Sequence, residues 1–249
     1  MKPEIASWAR ALLWVGFTVA IVSAAALAAS GPGNRLGWWD YRLAFSIMRT
    51  AAWGGAAGAV LCVPAAIMAA AGGVRRALVL AIVGLVAGAL TAALPWQFRQ
   101  RAQKVPPIHD ISTDTEHPPR FVAVVPLRKG APNTVEYGGA DLARAQKQGY
   151  PDITPLILAV EPATAFDQCL RAARSQGWEI VAAVPAELRI EATDTTPFFG
   201  FKDDVVVRIT PAGGGSRVDV RSVSRVGRSD LGKNAERIRA FLRALARHA

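Results

Sequence analysis

The stretch DVVVRITPAGGGSRVDVRSV, residues 204–223, sets two runs of alternating apolar and polar residues on either side of a glycine triplet. Successive side chains of a strand point to opposite faces. Val218 and Val220 therefore share one face with Ser222, while Arg217, Asp219 and Arg221 share the other with Val223. Two such runs joined by PAGGGS read as an antiparallel hairpin. The apolar face ends in a hydroxyl and the polar face in a valine, which predicts a strand end or a bulge at that point.

Working outward, LRIEAT (188–193) alternates in the same way, with Leu188, Ile190 and Ala192 on one side. EIVAAV (179–184), LILAV (156–160) and FVAVVPL (121–127) are short apolar runs of strand length. Between them, Pro162 opens a helix in which Phe166, Cys169, Leu170 and Ala173 recur at helical spacing, with Gly177 as its stop. A short helix is expected at 141–147, within a loop-rich region. At the C-terminal end Ile238, Phe241, Leu242 and Leu245 form an apolar stripe on a last helix. The prediction for 105–249 is an α+β domain with helices packed on an antiparallel sheet, long enough to build its own core.

Residues 1–104 are of another kind. Spans of about 11–29, 50–71 and 77–94 are apolar, carry no ionisable residue inside, and reach the roughly 20 residues a bilayer-crossing helix needs. Trp8, Trp14, Trp38, Trp39, Trp53 and Trp96 fall near their ends, as an interfacial belt would place them. Gly54 and Gly58, and Gly84 and Gly88, are spaced for close helix packing, within the chain or in a homo-oligomer through these faces. Lys2, Arg10 and the small residues after the first span resemble a signal peptide, but its apolar region is long, so retention is expected.

Charge follows the same division. Of the 29 Lys+Arg, ten lie in 1–104 with only Glu4 and Asp40 for balance, so most of the net charge of +10 flanks the apolar spans. Membrane-flanking charge explains that excess without a nucleic-acid partner. Lys2, Arg10, Arg75 and Arg76 would lie on one side of the bilayer, and Arg35, Arg42, Arg49, Arg99, Arg101 and Lys104 on the other. That balance leaves orientation open, with a slight lean toward a cytoplasmic domain. Cys62 and Cys169 sit in different regions and predict no disulfide framework.

Four places carry side chains able to do chemistry. VPPIHDISTDTEHPPRF (105–121) holds His109, Asp110, Asp114, Glu116 and His117, a possible polar site; His109 and His117 lack metalloprotease spacing, and the further histidine, His248, is at the chain's end. The segment reads first as a strap joining the two halves. Asp203 and Asp204 follow the aromatic run Phe198, Phe199 and Phe201; as neighbours in a strand they face apart, and turn or strand-edge chemistry is expected for them. The phenylalanines would cover the core, line an apolar mouth or touch the bilayer. Arg221, Arg225 and Arg228 approach Ser229, Asp230 and the last helix, where guanidiniums beside helix amides suit an anionic small molecule or lipid. Equally, they would pair with the acids of 105–216. Arg239, Arg243 and Arg247 form a basic row on the last helix, a solvated face or a contact with lipid headgroups.

PPIHDISTD (106–114), the run Phe199-Gly200-Phe201-Lys202-Asp203-Asp204 and RSVSRVGRSDLGKNAERI (221–238) resemble the domain of unknown function 1499 family, over roughly 105–246. Pro197-Phe198-Phe199 stands where some relatives have a tryptophan. The resemblance brings no established activity. It implies a bacterial membrane or exported protein, favours a periplasmic domain over the charge bias, and makes the strap part of the domain.

The chain is thus expected to be a multi-pass inner-membrane protein with a non-enzymatic binding or envelope-structural role. No metal and no cofactor is implied. The alternatives are a metal- or carboxylate-dependent hydrolase using His109, Asp110 and Asp114, and a sensor or assembly partner acting through helix packing. No nucleophile motif or phosphate-cradling glycine loop supports the enzyme.

Overall fold

The computed structural model describes residues 5–247 and divides the chain into two units. One is helical, runs to Arg101 and takes in Phe198–Gly200; the other begins at Ala102 and holds the remainder.

Helices α1 (Ser7–Arg35), α2 (Tyr41–Ala71) and α3 (Arg75–Ala102) make up the first unit. They have 29, 31 and 28 residues and are long and apolar enough to cross a membrane. All outrun the apolar spans of the sequence. α2 starts at Tyr41 because the Asp40 carboxylate accepts from the Leu43 N–H at 2.9 Å, an N-cap the sequence analysis had not used. α3 continues past Pro95 and carries Arg99 and Arg101 in its last turn, where cations meet the negative end of the helix dipole.

The packing of this unit is inverted relative to a water-soluble bundle. Its buried positions are small: Ala20, Ala51, Ala59, Cys62, Ala65 and Ala81 among them. Large apolar side chains such as Trp14, Val22, Trp53, Val60, Ile67 and Leu90 are exposed. Glycines set the close approaches within the chain. A Cβ at Gly58 would lie 2.7 Å from Ala20 N and 2.8 Å from Gly16 O, and one at Gly84 would lie 2.7 Å from Cys62 Sγ. One at Gly54 would strike Ser23 Oγ, and one at Gly88 would strike Gly55 O. Small residues that let backbones approach are what helix pairs need when burial of large side chains brings no gain.

The second unit is built on one six-stranded antiparallel sheet. β1 (Asp110–Ser112), β6 (Gly215–Ser224), β5 (Lys202–Ala212), β4 (Arg189–Thr195) and β3 (Glu179–Val184) follow one another across it, and β2 (Leu156–Leu158) pairs with β6 beyond the end of β1. The quoted hairpin is its centre. Val207 faces Val220, and the connection turns on Gly213 and Gly214, both at positive φ, as a two-residue hairpin turn requires.

One face of the sheet is apolar and is covered by α5 (Pro162–Ser175) and α6 (Lys233–Ala246). Ile190, Ala192, Val205, Val207, Val218 and Val220 meet Phe166, Cys169, Ile238, Phe241 and Leu245 there. Trp178 stacks on Phe241 with ring centres 5.1 Å apart. The expected helix stripes are therefore the ones buried. The short helix α4 (Gly139–Gly149) is longer than 141–147. Its buried Gln146 donates to Ser112 O at 2.6 Å and accepts from Ser112 N at 2.9 Å, pairing with edge strand β1 as another strand would.

The other face carries most of the unit's buried charge and is covered by the chain between β1 and α4. One expectation fails here. FVAVVPL is not a strand: it turns and enters a 3-10 helix at Val125–Arg128, because the N–H groups of residues 122–124 go to a side chain rather than to a ladder. The strap contains strand β1, which the prolines around it had obscured. Of the strand end or bulge expected near Val223, the strand end is what is found: β6 stops at Ser224 with its register to β5 unbroken from Gly215, and the irregularity of the sheet lies between Ile180 and Ala182 of β3. Val223 sits on the polar face because Phe121, Val124 and Val206 make a second small core over it.

Candidate functional site

The strap is fastened to the sheet by charge. Asp110 in β1 accepts from Arg221 Nε at 2.9 Å and Nη2 at 2.7 Å, and both side chains are buried. Arg221 also donates to Pro119 O and Val135 O, so one guanidinium ties β6 to two points of the covering segment. Its guanidinium carbon lies 5.2 Å from the Phe121 ring centre and 5.3 Å from that of Tyr137, which favours the cation on both sides.

Asp114 closes a turn: one carboxylate oxygen accepts from the Glu116 and His117 N–H groups. The other accepts from Arg208 at 3.0 Å and Arg217 at 3.1 Å, both of which also bond buried Asp219. Burial pushes the Asp114 carboxyl up, but those N–H groups and arginines outweigh it and hold it below its ordinary value. The His109 carbonyl accepts from Ser224 N and Asn234 Nδ2, which seats the strap against α6. Glu116 pairs with Lys147 at 3.5 Å, and His117 is exposed. Among the described residues no three His, Cys, Asp or Glu side chains converge on one point; His248 lies outside them.

Asp203 and Asp204 do face apart, but the strand-edge expectation for them is corrected. β5 is central, and both carboxylates are buried in ion pairs because each face presents arginines to them. Asp203 bonds Arg237 of α6 at 2.7 Å. On the opposite face Asp204 accepts from Arg128, from Thr193 Oγ1, and from Arg225 at 2.9 and 2.8 Å. Of the aromatic run before them, Phe198 and Phe199 meet edge to face at 4.9 Å, and Phe198 is exposed.

The arginine cluster therefore separates. Arg221 and Arg225 give their forks to Asp110 and Asp204, acids from the earlier part of the domain. Arg228 is exposed. Ser229 Oγ accepts from Leu231 N, and Asp230 accepts from the Gly232 and Asn234 N–H groups, filling the N-terminus of α6 with a carboxylate of the chain itself. Burial raises the Asp230 carboxyl above its ordinary value. On the outer side of α6, Arg239 pairs with Asp152.

Sequence analysis missed the residues that organise this face. Glu191, fully buried in β4, accepts at 3.0 Å from the N–H groups of Val122, Ala123 and Val124 and also bonds Arg189. It folds the segment after Phe121 into a turn around its carboxylate. Between this segment and the sheet runs a cleft of about 790 Å³. Arg189, Val206, Arg208 and Arg221 line it from the sheet; Phe121, Val122, Val135 and Tyr137 line it from the covering chain. Arg208 and Tyr137 are both lining residues, while Arg208 Nε and the Tyr137 hydroxyl are themselves buried and lack a hydrogen-bond partner among the described residues. Burial, reinforced by the Asp110 charge, pushes the Tyr137 hydroxyl up to about 12, so it keeps its proton. The alternation of β4 and β5, which puts Arg189, Glu191, Val206 and Arg208 on one face, was the available signal.

No curated protein matches this chain. A family model described as protein of unknown function (DUF1499) matches residues 110–245, from β1 to the last turn of α6, and so includes every ion pair that holds the strap. More than half of the 249 residues is covered, and the chain belongs to the DUF1499 family.

Proposed function

We propose that this is a multi-pass inner-membrane protein, its first span retained, that displays its α+β domain in the periplasm as a non-enzymatic binding module. The bilayer contact is supported by three long helices with small residues inside and large apolar ones outside. Glycine faces packed within the chain leave the reading independent of a homo-oligomer.

The observation that carries the binding role is the cleft and the state of the groups around it. Among the carboxylates around it, Asp110, Asp114, Asp219 and Glu191 are each spent on arginines or backbone N–H groups. A hydrolase built on His109, Asp110 and Asp114 needs a carboxylate free to take a proton or bind a metal, and neither aspartate is free. The arginines that line the cleft, Arg189, Arg208 and Arg221, keep its wall polar, which suits a ligand rather than a core contact.

Metal analysis of the full chain tests this reading. A substoichiometric, variable metal content agrees with it. One equivalent of metal that is lost on His109→Ala would replace it with the hydrolase. Sidedness is read by placing a cysteine at exposed Arg144, with native Cys62 and Cys169 both buried, and labelling intact spheroplasts with an impermeant maleimide. Labelling without permeabilisation is expected; labelling only after it would put the domain in the cytoplasm.

A further inference from the structure

The aromatic tip Phe198–Gly200 belongs, by its packing, to the helical unit. Below the tip the connection from β4 to β5 is closed: Thr196 N donates to Phe201 O at 2.8 Å, and Phe201 N donates to Thr196 Oγ1 at 2.9 Å. At the tip itself, Asn34 Nδ2, near the end of α1, donates to Phe199 O at 2.7 Å. The Phe199 ring meets Phe45 of α2 edge to face, with ring centres 5.4 Å apart. Two glycines allow the close approach. A Cβ at Gly31 would strike the Phe198 ring, and one at Gly200, already at a φ of +71°, would lie 2.9 Å from Arg35 Cγ.

These contacts fix Phe198 at a definite height along α1. That helix has 29 residues, about 44 Å of rise, against roughly 30 Å of hydrocarbon in a bilayer. Gly31 lies about 3 Å past the apolar span that ends near Ala29. Phe198 is 43% exposed at that level, and the residues that follow α1, Leu36 at 62% and Trp38 at 70%, are exposed as well. Arg35 and Arg42, also exposed, supply cations suited to headgroup phosphates. Exposed Phe, Leu and Trp interleaved with arginines are the composition of segments that lie in a membrane interface. Lipid would take from water the ring surface that the protein leaves uncovered. Resting on the bilayer-crossing part of the proposed function, we infer that Phe198 is a lipid contact, its ring seated at the headgroup–acyl boundary beside the end of α1. Asn34 and Phe45 hold the tip in place for it.

The test puts the fluorophore NBD on Phe198→Cys in the full chain, in phosphatidylcholine nanodiscs, and reads its quenching by lipids with a doxyl group high or low on the acyl chain. Phe198 is partly exposed, so the substitution spares the core. Native Cys62 and Cys169 are buried, and the unaltered chain taken through the same labelling gives the background. Val60→Cys, on a residue 68% exposed within α2, is the reference for the bilayer interior, and Arg144→Cys, on an exposed side chain of α4, is the reference for water. NBD at position 198 is expected to emit to the blue of the Arg144 reference and to be quenched most by doxyl close to the headgroup. Asn34→Ala, which removes the donor to Phe199 O, should shift that emission back to the red and lessen the quenching. Quenching at position 60 but none at 198 overturns the inference and leaves the bilayer-crossing helices standing. No quenching at either position overturns both. Quenching at 198 that is strongest with doxyl deep in the chain overturns the boundary placement. Quenching that Asn34→Ala leaves unchanged shows that the fluorophore seeks lipid unaided, and overturns the assignment.

Discussion

Replacing Asp110 with alanine removes the acid that faces Arg221 and leaves a guanidinium buried without its counter-charge. Both residues are nearly inaccessible, at 3% and 2% exposure, and their two hydrogen bonds measure 2.9 and 2.7 Å. Breaking one partner of such a pair costs about 3–5 kcal/mol, mostly from the stranded charge. With a urea dependence of about 2 kcal/mol per molar, the unfolding midpoint of the domain should fall by about 2 M. Pulse proteolysis of the full chain across a urea series reads this, because the sheet's strands become cleavable only when the domain opens. The companion Asp110→Leu with Arg221→Met replaces the pair by apolar groups. It should recover part of the loss but not all, since the Pro119 and Val135 carbonyls lose their donor. A loss below about 1 kcal/mol in Asp110→Ala would refute the claim that this pair anchors the strap.

Three other outcomes follow from the same geometry. Burial pushes the Asp204 carboxyl up, but bonds from Arg225 and Thr193 and the charges of Arg225 and Arg128 pull it below its ordinary value. A depressed folded value means its contribution is complete above the unfolded value near 3.9 and is lost as pH falls through the folded one, so Asp204→Asn should flatten the acid limb of a stability–pH profile. Phe241→Ala, which empties the place of a fully buried ring stacked on Trp178, should cost about 3–5 kcal/mol, measured as a shift of the urea midpoint. Gly88→Leu, whose side chain would strike the Gly55 carbonyl, should open the helical unit at lower SDS in a circular dichroism titration while the domain's proteolysis midpoint stays put.

How far the sequence reached depends on whether a residue's partner lies nearby. Alternation in 204–223 fixed both faces of the hairpin, and the spacing of Ile238, Phe241 and Leu245 fixed the buried stripe of α6. Asp203 and Asp204 could be assigned to opposite faces from their adjacency alone. What lay on those faces could not, because Arg128, Thr193 and Arg225 come from three separate segments. The run FVAVVPL has strand composition, yet Glu191, some seventy residues away, takes its N–H groups and bends it. A short edge strand such as β1 has too few residues to show a period, and its hydrogen bonds to β6 and Gln146 are invisible until the chain is folded. Tyr137 and Arg208 could be singled out only once folding showed which buried polar atoms lack partners among the described residues.

Whether the cleft holds a ligand is read most directly by native mass spectrometry of the full chain released from its own host membrane. A binding module predicts a small organic adduct at one per chain, diminished in Arg189→Ala, whose side chain lines the cleft. A bare chain mass in both proteins, or an adduct that is a metal ion lost with His109→Ala, would contradict it.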